Sequence, residues 1–126
     1  MLISQVRIVN EGRITEGDVL IKGGRIEKIA PFIAALPRTR VIDGKGKLLL
    51  PGVIDDQVHF REPGFPHKAD IASESAAGVA TTSFMEMPNT DPKTVTHELL
   101  KDKYQRAEKR ASGNYAFYFG ATNDNL

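Results

Sequence analysis

The chain has 126 residues, 17 of them basic and 16 acidic, for a formal net charge of +1. Such a balance supplies neither the basic field that nucleic acid demands nor a polybasic run for an anionic membrane. Cysteine is absent, which removes disulfides and thiolate chemistry, and no apolar run approaches the length of a bilayer span.

The first fifty residues read as strand material. Residues 2–9 alternate apolar and polar side chains, with a polar turn around Asn10–Gly12. A second strand is expected near residues 18–21, then a hairpin at Gly23-Gly24, where both positions tolerate positive φ, and a returning strand over 25–29. Pro31 and Pro37 bracket a connection. Strand character resumes over 39–42 and again over 48–50, either side of Gly44 and Gly46. The start of the chain lacks the basic and apolar regions of a signal peptide, so a soluble, cytoplasmic protein is expected.

At Pro51-Gly52 the pattern changes. VIDDQVHF, residues 53–60, reads as a short buried strand followed by the Pro/Gly-rich loop REPGFPH. A helix is expected over 67–78, with Ile71, Ala72, Ala76 and Val79 near one face, and a second buried strand over 80–87, broken by Pro88. The next helix is expected over 94–112, with Val95, Leu99, Leu100, Tyr104, Ala107 and Ala111 as its apolar stripe and Gly113 as its stop. A third strand covers 115–119. The order β-loop-α-β-loop-α-β is the signature of parallel α/β architecture. Three parallel strands make only part of a sheet, and the third lacks a covering helix, so a section of a larger protein is expected.

Alternation along 53–60 places Asp55, Gln57 and His59 on one face, with Ile54, Val58 and Phe60 on the other. Polar side chains at the C-terminal end of such a strand lie where barrel enzymes build their sites. His59 suits either a metal or a satisfied core position. Arg61, in the following loop, is suited to gripping a carboxylate with two parallel hydrogen bonds or to pairing on the surface. Asn89, in Met87-Pro88-Asn89-Thr90, brings a donor and an acceptor to the same rim, or organises a turn. Asp55, Asp56 and Glu86 are open between chemistry and structural pairing, while His67 and His97 sit near helix starts and carry no expectation as ligands.

LLLPGVIDDQVHFREPG, residues 48–64, resembles the segment that opens the barrel in cyclic amidohydrolases, and residues 26–29 and 41–46 fit the small β unit that precedes it there. His59-Phe60-Arg61-Glu62-Pro63-Gly64 together with Met87-Pro88-Asn89-Thr90 look like the dihydroorotase branch rather than the dihydropyrimidinase, hydantoinase or allantoinase branches. The resemblance implies an α/β fold. Residues 1–50 would be the N-terminal portion of a β-sandwich-like domain, and residues 51–126 the first strands and helices of a (β/α)8 TIM barrel, incomplete in this chain. It implies zinc, one or two ions, with His59 as a ligand, and Arg61 and Asn89 holding the carboxylate of dihydroorotate or carbamoyl aspartate. The remaining ligands and the acid/base are expected beyond residue 126, so the 126-residue chain alone is expected to be inactive. No nucleic acid or membrane partner is implied, and a homo-oligomer is compatible with the resemblance.

One residue departs from the family pattern. The first strand there presents His-x-His, and this chain presents Gln57-x-His59. A glutamine carbonyl is a weaker zinc ligand than imidazole. Gln57 therefore keeps open a one-metal enzyme and a non-catalytic assembly partner of dihydroorotase type, while another cyclic amidohydrolase is the nearest chemical rival.

Overall fold

The computed structural model describes residues 1–78 and 81–125, in two compact units, Met1–Pro51 and Gly52–Leu126. The first is built from β1 (Leu2–Asn10), β2 (Arg13–Lys22), β3 (Arg25–Ala30), β4 (Val41–Asp43) and β5 (Leu48–Leu49). Its sheet runs β3-β2-β1-β4, with β5 also paired to β1. The β1–β2 and β2–β3 pairs are antiparallel, and β4 and β5 run parallel to β1.

Both hairpins turn on two residues at positive φ: Glu11 (48°) with Gly12 (71°), and Gly23 (57°) with Gly24 (75°). That geometry matches the right-handed twist of the flanking strands. β2 is longer than expected at both ends, because ladder pairing with β1 continues through the polar residues Thr15 and Glu16. The register shifts between Ile3 and Val6, where Gln5 takes φ 54°. Asp18 fastens this bulge, accepting the Gln5 N–H at 2.9 Å on one oxygen and the Ile33 N–H at 2.8 Å on the other. Buried acceptors satisfied in this way cost little, and Asp18 sits beside the small core of Leu2, Val6 and Val19.

The second unit contains β6 (Val53–Val58), α1 (Ile71–Ala77), β7 (Thr81–Glu86), α2 (His97–Ala107) and β8 (Asn114–Phe117). The strands form a parallel sheet in the order β6-β7-β8. Its core is Phe60, Ile71, Phe84 and Ala107, with Val58, Ala111, Tyr115 and Phe117 packed against it. Phe60 meets Phe84 edge to face, ring centroids 5.3 Å apart.

Both helices are shorter than the periodicity suggested. α1 begins at Ile71 instead of residue 67 because Asp70 caps it, its side chain accepting the N–H groups of Ala72 and Ser73 at 2.8 and 2.9 Å. α2 begins after the Thr96 cap and ends at Ala107, well before Gly113; Lys109, at φ 62°, turns the chain instead. β6 is largely exposed, with Ile54 at 66 %, contrary to the expected buried strand. The reason is its position: it is an edge with β7 as its one partner among the described residues. Val79 and Ala80, assigned to a helix face and a strand start by pattern, lie outside the described residues, as does Leu126. Among the described residues no helix is long and apolar enough to cross a membrane.

Candidate active site

The C-terminal ends of β6 and β7 carry the polar residues singled out by the sequence. His59 follows β6 directly, and its Nδ1 lies 3.0 Å from Oδ1 of Asn89, in the segment after β7. An amide oxygen only accepts, so Nδ1 carries the imidazole proton and Nε2 is left with a lone pair. A metal-ligating histidine has this arrangement, its second nitrogen oriented by a hydrogen bond to an oxygen. Asn89 is thus a partner of His59 in this structure.

The two rim loops are stitched together along their length. Met87 N–H donates to Val58 O at 3.0 Å and Asp91 N–H to Pro63 O at 3.1 Å. Gly64, at φ 100°, lies so close to Asp91 that an added Cβ would meet the Asp91 carbonyl oxygen at 2.5 Å. Only glycine fits there. Thr90, buried, donates to Pro92 O at 3.0 Å and closes the second loop on itself.

Arg61 is partly buried and takes φ 65°, and its carbonyl accepts the Phe65 N–H at 2.9 Å. Among the described residues its guanidinium has no ion-pair partner. Gln57 is exposed, its N–H donating to Asp55 Oδ1 at 3.1 Å. His67 stacks edge-on near Phe65, centroids 6.4 Å apart, and His97 lies near Phe119 at 5.7 Å. Neither joins the His59–Asn89 couple.

Among the described residues no three His, Cys, Asp or Glu side chains gather closely enough to hold a metal. A zinc site takes three or four protein ligands. The donor chemistry present fits a contribution to such a set: one imidazole with its tautomer fixed by Asn89, and one weak amide oxygen from Gln57.

Two buried charges were not assigned by sequence pattern. Glu62 accepts from both terminal nitrogens of Arg110, at 2.7 and 3.1 Å, and from the Ile71 N–H at 3.1 Å. The Arg110 pKa is raised, first by that hydrogen bonding. Glu86, at the end of β7, lies 2.8 Å from Lys103 Nζ on α2. Burial pushes the Glu86 carboxyl above its ordinary range, against the lowering effect of Lys103. Lys103 also donates to Met87 O at 3.3 Å and sits 5.0 Å from the Phe117 ring centroid. The helix stripe written as apolar thus holds a lysine between Leu99 and Ala107. The one hint was Glu86 in an otherwise uncharged strand.

No family model matches the chain. An L-hydantoinase from Paenarthrobacter aurescens is 33% identical over 129 residues, spanning 100% of this chain and 28% of that protein. A dihydroorotase from Carboxydothermus hydrogenoformans is 49% identical over 89 residues, 69% of this chain and 20% of that protein. Among solved structures, the L-hydantoinase from Arthrobacter aurescens superposes with a TM-score of 0.85 at 32% identity, over 98% of this chain and 28% of that one. The chain is homologous to the cyclic amidohydrolases. It spans under a third of the length of these relatives. In this cyclic amidohydrolase homologue, the β-strands and helices resemble the start of a (β/α)8 barrel, left unclosed with three parallel strands.

Proposed function

We propose that this chain is the opening section of a zinc-dependent dihydroorotase, which reversibly hydrolyses the cyclic amide of dihydroorotate to carbamoyl aspartate. The observation that carries the reading is the Arg61 guanidinium, without an ion-pair partner among the described residues, two residues beyond the oriented His59. Dihydroorotate bears a carboxylate that the neutral hydantoin ring lacks, and a planar guanidinium binds a carboxylate with two parallel hydrogen bonds.

His59, through Nε2, and more weakly Gln57, would hold the metal. The chemistry that zinc supplies when bound is activation of water and polarisation of the amide carbonyl. Asn89 keeps the His59 lone pair outward, and Arg61 fixes the substrate's acidic end so that the ring amide is presented in one orientation. The remaining ligands and the proton-transfer group are supplied by chain outside these 126 residues, so the segment alone has no turnover.

The test is Arg61→Ala in the full-length protein. kcat/KM for dihydroorotate is expected to fall by about a hundredfold, the size of a lost charge-assisted bidentate contact, with little change for a neutral hydantoin. An unchanged kcat/KM for dihydroorotate rejects the substrate assignment. The identity with L-hydantoinase over the whole chain favours the neutral-ring alternative, which the same substrate pair separates. Gln57 in place of a second histidine favours the non-catalytic assembly partner, which predicts no ring opening of either substrate.

A further inference from the structure

Arg61 has a carboxylate as its immediate neighbour in sequence, yet that carboxylate is engaged elsewhere. Glu62 turns away from the rim, its side chain 10 % exposed, into a fork formed by both terminal nitrogens of Arg110. A third donor, the Ile71 N–H that opens α1, fixes the same group. Arg106 adds a longer ionic contact at 3.9 Å. The Glu62 side chain is therefore held from the end of α2 and the start of α1 together.

Arg61 itself occupies φ 65°, a region that costs a residue with a side chain and persists where neighbours enforce it. Two restraints flank it. The Glu62 clamp fixes the peptide that follows, and the Phe65 N–H bonds back to the Arg61 carbonyl at 2.9 Å. The clamp also occupies the carboxylate closest in sequence to Arg61, leaving that guanidinium without an internal counter-ion among the described residues.

We infer that Glu62, held by Arg110, is a positioning residue for Arg61: it fixes the left-handed turn that aims the guanidinium and keeps that charge free for an anionic ligand. The inference rests on the reading of Arg61 as the substrate-carboxylate group. Glu62 touches no substrate in this scheme and acts through its neighbour.

The experiment is a double-mutant cycle in the full-length protein, with Glu62→Gln, Arg110→Met and Arg61→Ala. Arg110 is half exposed, so its methionine variant keeps the fold while releasing the clamp. Each of Glu62→Gln and Arg110→Met is expected to raise KM for dihydroorotate about tenfold with kcat held within about twofold, and to add nothing in the Arg61→Ala background. Effects that add to Arg61→Ala, or that fall on kcat alone, overturn the inference. Amide exchange at Phe65 separates this failure from failure of the substrate reading. If Arg61→Ala leaves dihydroorotate kinetics unchanged, faster Phe65 exchange in Glu62→Gln still sustains the backbone clamp, and unchanged exchange overturns it.

Discussion

Lys103 Nζ lies 2.8 Å from Glu86 Oε2, and both side chains are 1 % exposed. Neither carboxylate oxygen of Glu86 has a hydrogen-bond partner among the described residues, so the contact with Lys103 is an ion pair without hydrogen-bond geometry. The pair joins α2 to the end of β7, directly below the rim loop, since Lys103 also holds the Met87 carbonyl.

Removing one member leaves a buried charge uncompensated. Lys103→Met is expected to destabilise the fold by about 3–5 kcal/mol, whereas Lys103→Met with Glu86→Leu is expected to recover most of that loss. Urea unfolding midpoints of the single and double variants check this. A single variant as stable as the parent would show that the pair contributes nothing.

The same pair sets a pH dependence. Burial raises the Glu86 pKa above its ordinary 4.5. The folded state then binds more protons than the unfolded state between the two values. This contribution to stability is fully present below 4.5 and is lost as pH rises through the raised value. Glu86→Gln removes the titration, so the difference in unfolding midpoint between parent and variant should shift in that window in the variant's favour as pH increases. A pH-independent difference contradicts the raised carboxyl.

Gly64→Ala places a Cβ against the Asp91 backbone at positive φ. A cost of about 1–3 kcal/mol is expected, together with separation of the two rim loops. Chemical denaturation gives the first. The second is read as faster exchange of the Asp91 amide, which donates to Pro63 O.

Asn89→Leu removes the acceptor that fixes the His59 tautomer. In the full-length protein, zinc affinity is expected to fall by about 10- to 100-fold, measured by competition with a chelator. Unaltered affinity would mean that His59 is not a ligand or needs no orientation.

Gln57→His places an imidazole in β6, two residues before His59. Zinc bound per chain in the full-length protein is expected to rise, or its dissociation to slow, because imidazole outranks an amide oxygen as a zinc ligand. Metal content after dialysis measures it. No change in either quantity places Gln57 outside the metal site.

Much of the second unit was legible because apolar runs and Gly/Pro punctuation track the parallel β-α-β order, and because Phe84 and Ala107 fall on the faces that bury them. Helix ends were less so. Periodicity continues past the point where Asp70 and Thr96 set the boundaries through side-chain caps and Lys109 through a left-handed φ. Within the site, alternation put His59 on the polar face. It could not reveal that the group facing Nδ1 would come from Asn89, thirty residues away. Glu62 stood in plain view inside the His59–Gly64 motif, yet its partner Arg110 is 48 residues distant, a separation at which local pattern carries no information.

Among the described residues β6 is paired on one side only, by β7. In the barrel proposed for the full-length protein that free side is where a closing strand pairs, so the exposed Asp55 and Asp56 of β6 lie along the seam that closure would complete.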